Sequence, residues 1–509
     1  MSATSPGRLQ RLLGGWSANL FQIALSVTQQ LALVPLLLHY GSGEMLAAWL
    51  ALYAAGNLAL VADAGLSARV INRFLAFKSC ADCDGRTASY YASMQRLYVR
   101  LILVLMASVI VGAVLLRPSF VLGFEGVRHF DVCFVIMVVG ILWLLPSNLA
   151  SGLYRARGLY GRAVWIQCGA MLASQLLQAA AIIATGDLMF IVVAFVAPQI
   201  LTAAYLAIVD VRKLFPLLSR ARRSGGQSRH WIAGQFRRAF PFFVAGGTEI
   251  VLQNLPVLLV SAIVTDRVAV AQWGLTRVAA GLVRGLCLQA TLPLAAELGH
   301  DRAIGARGAL RRLYARGSVL VTLLASLVVS GLLAFWQDFF TLWTRGAIPY
   351  DVWLTLVLLL GAEIVAPAVM ALGYSYYSDR GELLARTKGL QLVAFVGLSL
   401  LLTPWMGPLG TALAVVATDL VVQFGLLASA IIWATLERPT RHIAFLAVVM
   451  VVVTAFGWGL GILVRSLVPL EGFARFATEC AAWLAIMALA ASPLANAKLR
   501  TKLAEMVPS

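Results

Sequence analysis

Fourteen long apolar segments recur along this chain, and they decide what it can fold into. Most have about the 20 residues that an α-helix needs to cross a bilayer. They lie near residues 13–38, 44–65, 97–116, 130–153, 163–184, 188–210, 240–264, 268–293, 317–337, 352–373, 389–404, 409–433, 443–464 and 473–492. No strand-like alternation competes with them, and helices satisfy their own backbone groups in lipid. The sequence predicts an all-α polytopic membrane protein with about fourteen transmembrane helices.

The composition excludes a soluble protein of this size. Hydrophobic residue types make up 61% of the 509 residues and charged types only 12%, with a mean hydropathy of +0.87. A soluble domain usually has about 25% charged residues, which cover its surface. We expect no cleavable signal peptide, because Arg8 and Arg11 precede a long first span. A soluble enzyme, a disulfide scaffold and a disordered chain are all excluded.

The net charge of +18 sets the predicted orientation. With a cytoplasmic N-terminus, 32 of the 40 Lys and Arg residues lie in cytoplasmic segments, six lie in outer loops and two lie within a span. This follows the positive-inside rule and predicts that both termini lie in the cytoplasm. The basic surface then contacts anionic membrane lipid. We expect no nucleic-acid partner.

The spans form two related groups. A basic linker at 211–239 separates a predicted N-lobe (1–210, spans one to six) from a C-lobe (240–436, spans seven to twelve). Two accessory helices and a tail follow at 437–509. At an offset of 224, Trp49 aligns with Trp273, and Gln29-Gln30 aligns with Gln253-Asn254. Two pseudo-symmetric six-helix lobes around a central cavity are therefore predicted, an arrangement common in transporters.

Two arginines within span eight are candidate substrate-binding residues. Arg277 and Arg284 are seven residues apart and share a helical face. Charge within a span is costly and usually faces a cavity or a partner. The arginines could line a cavity for an anionic substrate, since a guanidinium binds phosphate bidentately. Alternatively, Arg284 extends towards the cytoplasmic interface and Arg277 pairs with Glu249.

Three carboxylates within spans leave two hypotheses open. Glu249, Glu363 and Asp419 could couple transport to H⁺ or Na⁺, or they could be counter-ions for the arginines. A fourth acid, Asp63, ends span two, where we expect a helix break with Asp63 capping the next amphipathic helix.

Uncharged amides complete the predicted cavity. The amides are Asn19, Gln22, Gln29, Gln30, Gln253 and Asn254, and the aromatic Trp273 accompanies them. Amides beside aromatic rings suit sugar hydroxyls, but they equally suit hydrogen bonds between helices. No catalytic residues, metal site or cofactor are expected, because the outer loops are short and Cys80-x-x-Cys83 lacks a second Cys/His pair.

Short motifs add a family resemblance. Gly41-Ser42-Gly43 with Trp49, and then Asp63-Ala64-Gly65-Leu66-Ser67, resemble the first two helices of Wzx-type polysaccharide flippases. The stretches Ala271–Arg277 and Leu292–Glu297 resemble the matching segment of the second lobe. These flippases form part of the multidrug/oligosaccharidyl-lipid/polysaccharide exporter (MOP) superfamily.

The resemblance implies flipping of an undecaprenyl-pyrophosphate-linked oligosaccharide for surface polysaccharide synthesis (O-antigen, capsule or exopolysaccharide). It assigns Arg277 to the pyrophosphate or acidic sugars. The pathway's polymerase and chain-length regulator are candidate partners. One alternative is a cation-coupled multidrug antiporter, whose site would favour acids over arginine. Another is a lipid II flippase, which would carry arginines in its first helices, whereas span one has none.

Overall fold

The computed structural model describes residues 8–63, 65–77, 82–157, 159–220, 229–303, 306–377, 381–469 and 472–492. These residues form helices and connecting turns, with no strand among them. Because a helix pairs its backbone groups internally, this is the architecture expected for a chain that buries its apolar surface in lipid.

Sixteen helices are defined within these ranges, and several short turns connect them. They are α1 (Arg8–Tyr40), α2 (Gly43–Asp63), α3 (Leu66–Ala76), α4 (Arg86–Leu116), α5 (Pro118–Leu122), α6 (Phe130–Ala156), α7 (Tyr160–Ala184), α8 (Leu188–Leu214), α9 (Arg229–Ile263), α10 (Arg267–Ala303), α11 (Arg307–Thr344), α12 (Val352–Tyr377), α13 (Gly381–Met406), α14 (Pro408–Thr435), α15 (Pro439–Leu467) and α16 (Gly472–Ala491).

Twelve of the described helices are long and apolar enough to cross a membrane, so the predicted count of fourteen is only approximate. The two predicted spans outside this set are α1 and α10. The 37 residues of α10 are ample for a span, but Arg277 and Arg284 lower its hydropathy. The side chains of α1 are described only from Phe21 onward. The chain is a multi-pass membrane protein of all-α fold, as predicted.

The chain divides into two compact units, Met1–Arg267 and Val268–Ser509. The first unit contains α1 to α9 and the second contains nearly all of α10 together with α11 to α16. Helix α9, which the sequence assigned to the C-lobe, packs within the first unit against α2 and α3. The predicted N-lobe (1–210) and C-lobe (240–436) were defined by the internal repeat, whereas the two compact units are defined by packing. The two-lobe repeat therefore stays a prediction.

The predicted break after span two is confirmed. Helix α2 ends in a 3-10 turn at Ala59–Asp63, and Asp63 Oδ2 accepts a hydrogen bond of 3.0 Å from the Ser67 amide at the start of α3. Gly65 between them has a φ of +68°, and a Cβ there would lie 2.6 Å from the Phe243 amide nitrogen of α9. Only glycine fits both the left-handed backbone and this close approach.

In the second unit, small residues bring α11 and α15 together. A Cβ at Gly457 would lie 2.4 Å from Ser330 Oγ, and one at Gly461 would lie 2.3 Å from the Ala334 Cβ. Such small-residue contacts let helix backbones approach closely in lipid. The predicted accessory helix α15 is therefore packed directly onto α11.

Candidate functional site

The candidate site of the second unit is built on α10. Arg277 and Arg284 both lie partly buried on this helix, as the sequence predicted for span eight. Arg284 Nη2 donates a hydrogen bond to Asp419 Oδ2 of α14 in an ion pair. The Arg284 side chain is 33% exposed and that of Asp419 only 2%, so a partly exposed guanidinium pairs with a buried carboxylate.

Asp419 is the centre of a buried polar network. Its Oδ1 accepts hydrogen bonds from Gln391 Nε2 of α13 at 2.6 Å and from Gln423 Nε2 at 2.7 Å. Lys388 Nζ donates to Gln391 Oε1 at 3.3 Å. Lys388, Gln391 and Asp419 are each about 1% exposed. Both carboxylate oxygens are thus hydrogen-bonded, which is what a charge needs when it is removed from water.

A local change in helix type positions this carboxylate. Asp419–Ala428 of α14 is π-helical, so its backbone hydrogen bonds run from residue i to i+5. Within this segment the Gln423 amide, four residues along, donates to Asp419. Short π-helical segments inside α-helices are frequent at functional sites.

The structure brings together two of the predicted residues and adds others. Arg284 contacts Asp419 in the manner of the counter-ion hypothesis, while their role in transport stays a prediction. Lys388 was missed because the eleventh span was drawn from 389 and left it in a flanking loop, and Gln391 lay inside that span without being singled out. The signal was present, since a Lys and a Gln three residues apart at the edge of an apolar run share one helical face.

The other predicted residues of the second unit lie away from this network. Trp273 of α10 is 2% exposed, and its Nε1 has no hydrogen-bond partner among the described residues. Glu363 of α12 is 1% exposed and accepts a hydrogen bond from Thr454 Oγ1 of α15. Glu363 therefore does not take part in the hydrogen-bond network of Asp419, and its carboxylate contacts the accessory helix α15 instead.

In the first unit, the described amides of α1 bond to α7. Gln29 Nε2 donates to Gln178 Oε1 at 3.2 Å, and Gln22 Nε2 lies 4.0 Å from Met171 Sδ. The sequence left open whether these amides bind sugar hydroxyls or join helices, and the present contacts join two helices. The side chains of Asn19 and Gln30 lie outside the described residues.

The amides of α9 bond locally. Gln253 Nε2 donates to Glu249 Oε1 at 3.3 Å, and Asn254 Nδ2 donates to the Ile250 carbonyl at 2.8 Å. Glu249 belongs to the first unit and Arg277 to the second, and their predicted pairing stays a prediction. No group of three His, Cys, Asp or Glu side chains suited to a metal occurs in the described part of the chain.

Comparison with known proteins identifies the fold. No protein-family model and no curated protein sequence matches the chain. Its structure is similar to that of the lipid II flippase MurJ in an inward closed conformation, with a TM-score of 0.70 and 12% identity over 94% of this chain and 100% of that one. It is similar also to an inward-facing multidrug resistance MATE transporter of the MOP superfamily, with a TM-score of 0.61 and 14% identity over 83% and 94% of the two chains.

A MOP superfamily transporter from Pyrococcus furiosus gives a TM-score of 0.50 and 13% identity over 86% and 94% of the two chains. Identities this low establish the fold alone. The fold is similar to that of these MOP-superfamily transporters and flippases, as the resemblance drawn from the sequence implied. The narrower resemblance to Wzx-type flippases stays a proposal.

Proposed function

We propose that this protein is a flippase that moves an undecaprenyl-pyrophosphate-linked oligosaccharide from the cytoplasmic to the periplasmic leaflet of a bacterial inner membrane. Both termini then lie in the cytoplasm, as the distribution of basic residues favours. The transported unit would serve a surface polysaccharide. A polymerase and a chain-length regulator of that pathway are the expected partners. The MOP fold supports the transport class.

The charge within the second unit carries the substrate proposal. Within the apolar stretches of its helices lie three basic residues, Arg277, Arg284 and Lys388, and three acids, Glu363, Asp419 and Glu479. Glu363 accepts a hydrogen bond from α15 and Glu479 pairs with Arg475 of α16, whereas Asp419 pairs with Arg284. The two arginines of α10 favour an anionic headgroup over a drug cation. A guanidinium also matches the geometry of pyrophosphate oxygens.

We assign individual residues the following roles in this proposal. Arg277 contacts the pyrophosphate or acidic sugars, and Arg284 is held in place by Asp419. The amides Asn19, Gln30, Gln253 and Asn254, with Trp273, contact sugar hydroxyls. To make such contacts, Gln22, Gln29, Gln253 and Asn254 would have to exchange their present hydrogen bonds, and the buried Trp273 would have to become exposed.

If transport is ion-coupled, Glu363 is favoured over Asp419. The Asp419 carboxylate already has a guanidinium and two amides as partners, so both of its oxygens are occupied. Glu363 is buried and accepts a hydrogen bond from the Thr454 hydroxyl rather than from a guanidinium. Glu249 remains a second candidate for coupling.

A complementation experiment tests the substrate proposal. Arg277→Ala should abolish surface polysaccharide in a flippase-deficient strain while the amount of protein in the membrane stays unchanged. Arg386→Ala is the matched control, because the Arg386 side chain is 81% exposed and pairs with Glu382 one turn away. Wild-type polymer levels with Arg277→Ala would remove the proposed role.

A lipid II flippase is a second candidate, favoured by the similarity to MurJ along nearly the whole chain. Complementation of a strain depleted of its lipid II flippase distinguishes the two. Rescue of growth would support lipid II as the substrate. Rescue of surface polysaccharide alone would support the first proposal.

A further inference from the structure

A cavity of about 500 Å³ lies within the second unit, where four helix ends meet. It is bordered by the end of α10, the start of α11 and the ends of α12 and α14. Its polar lining consists of Asp301, Arg302, Arg307, Arg311, Tyr374 and Thr435. The volume is within the usual range for small-ligand sites. We call this feature the arginine cavity.

One arginine of the cavity is fixed in place. Arg302 Nη1 donates a hydrogen bond of 2.7 Å to Tyr374 Oη, and its guanidinium carbon lies 5.7 Å from the centroid of the same ring. Tyr374 is only 2% exposed, so the arginine is attached to a buried and rigid group. A side chain held in this way loses little conformational freedom when a ligand binds.

The charge of the cavity is cationic. Among the described residues, three guanidinium groups and one carboxylate, that of Asp301, line it. Arg311 also forms an ion pair with Glu437, and the three guanidinium groups still outnumber these two carboxylates. Convergent arginines present planar, permanently charged donors that match phosphate oxygens in pairs.

The depth of the cavity places it at the membrane boundary. The apolar stretch of α11 begins at Gly317, six residues after Arg311 and ten after Arg307. At 1.5 Å per residue these arginines lie about 9 and 15 Å beyond that stretch. The headgroup layer is about 5–8 Å thick, so Arg311 lies near its outer edge and Arg307 lies in the aqueous phase, on the side predicted to be cytoplasmic.

We propose that the arginine cavity binds a phosphate-bearing anion at the cytoplasmic membrane boundary, either the headgroup of an anionic membrane lipid or a soluble phosphate compound. The proposal does not depend on the transported substrate. Arg302 lies eighteen residues from Arg284 on α10, which separates the two sites by about 27 Å along the helix.

Isothermal titration calorimetry of pyrophosphate with the purified full-length protein in detergent tests whether the cavity binds a soluble phosphate compound. The double variant Arg302→Gln/Arg307→Gln should bind at least tenfold more weakly, or about 1.4 kcal/mol. Arg386→Gln, which removes one exposed charge from the same unit, should bind like the wild type. Tyr374→Phe removes only the Oη acceptor, and should weaken binding several-fold.

Nanodiscs with and without phosphatidylglycerol test the lipid source. Thermal stabilisation by this lipid in the wild type, lost in the double variant but kept in Arg386→Gln, would assign the cavity to a lipid headgroup. If the double variant does not fold, Arg307→Gln alone is used, because Arg307 is exposed. Equal responses of the wild type and the cavity variants to both probes, or no response to either, would overturn the proposal.

Discussion

At the residue scale, the buried Asp419 carboxylate is the most consequential single group in the second unit. We expect Asp419→Asn to destabilise the protein by about 3 kcal/mol, because it leaves the Arg284 guanidinium and the amides of Gln391 and Gln423 without their shared carboxylate. The change should appear as a lower midpoint of thermal unfolding in detergent.

The matched control for this prediction is Glu382→Gln, which makes the same chemical change on α13. The Glu382 side chain is 91% exposed and its pair with Arg386 is separated by 3.6 Å, so its loss should change stability by less than about 1 kcal/mol. Equal midpoints for the two variants would contradict a stabilising role of the network.

A pH-dependent contribution is expected from Asp82, in the connection between α3 and α4. Burial raises the pKa of Asp82, but hydrogen bonds from Arg157 and Thr87 and the charge of Arg157 outweigh it, so the pKa lies below its ordinary value. The carboxylate accepts from Arg157 at 2.6 and 3.0 Å and from Thr87 at 2.6 Å.

We expect Asp82→Asn to cost about 1–3 kcal/mol at neutral pH, since it removes charge-assisted hydrogen bonds. A lowered pKa stabilises the folded state above the unfolded value of about 3.9, and this stabilisation is lost as the pH falls through the folded value. The difference in unfolding midpoint between wild type and variant should therefore shrink below about pH 4. A difference that persists unchanged there would contradict this assignment.

At the element scale, the contact between α11 and α15 depends on missing side chains. Gly461→Val should push the helices apart and destabilise the protein by about 1–3 kcal/mol, because its Cβ would overlap with that of Ala334. Gly459→Val, two residues away, is the control, since a Cβ at Gly459 meets no atom within 4 Å. Equal thermal stability and yield of the two variants would contradict close packing at Gly461.

Two helices share a feature that the sequence did not predict. Helix α8 becomes π-helical at Tyr205–Asp210, and α14 does so at Asp419–Ala428. Each segment holds a buried aspartate paired with an arginine, since Asp210 accepts hydrogen bonds from Arg162 at 2.7 and 3.1 Å. These are the sixth and twelfth predicted spans, which correspond in a two-lobe repeat. A run of apolar residues looks the same whether the helix is α or π. The sequence pattern therefore predicted the helices but not their π-helical segments.

At the scale of the whole molecule, the predicted orientation can be checked with a natural cysteine. Cys83 is exposed, and it follows α3 on the side predicted to be cytoplasmic. A membrane-impermeant maleimide should label it only after cells are permeabilised. Cys133, Cys168 and Cys287 are buried and should react poorly. Asp266→Cys in a chain with Cys80, Cys83 and Cys480 replaced by serine should show the opposite behaviour. Labelling of Cys83 in intact cells, in a chain with Cys80 and Cys480 replaced by serine, would contradict the orientation.

The sequence was most informative where the solvent is lipid. Hydropathy and the distribution of basic residues predicted the helices and the fold class, because each span must satisfy its own backbone. It was less informative about polar partners. The contact of Glu363 with Thr454 joins residues 91 positions apart, and apolar periodicity carries no information about such distant contacts. Lys388 was missed because the end of a span is defined by packing as much as by hydropathy.

The central claim is that the chain moves a pyrophosphate-linked oligosaccharide between leaflets with the help of Arg277. The most direct measurement is translocation of a fluorescent polyprenyl-pyrophosphate-linked oligosaccharide in proteoliposomes of wild type, Arg277→Ala and Arg386→Ala, with and without a pH gradient. We predict translocation by the wild type and by Arg386→Ala, and a loss of at least tenfold for Arg277→Ala. Equal rates for Arg277→Ala and wild type, or a wild-type rate no faster than that of protein-free liposomes, would contradict the claim.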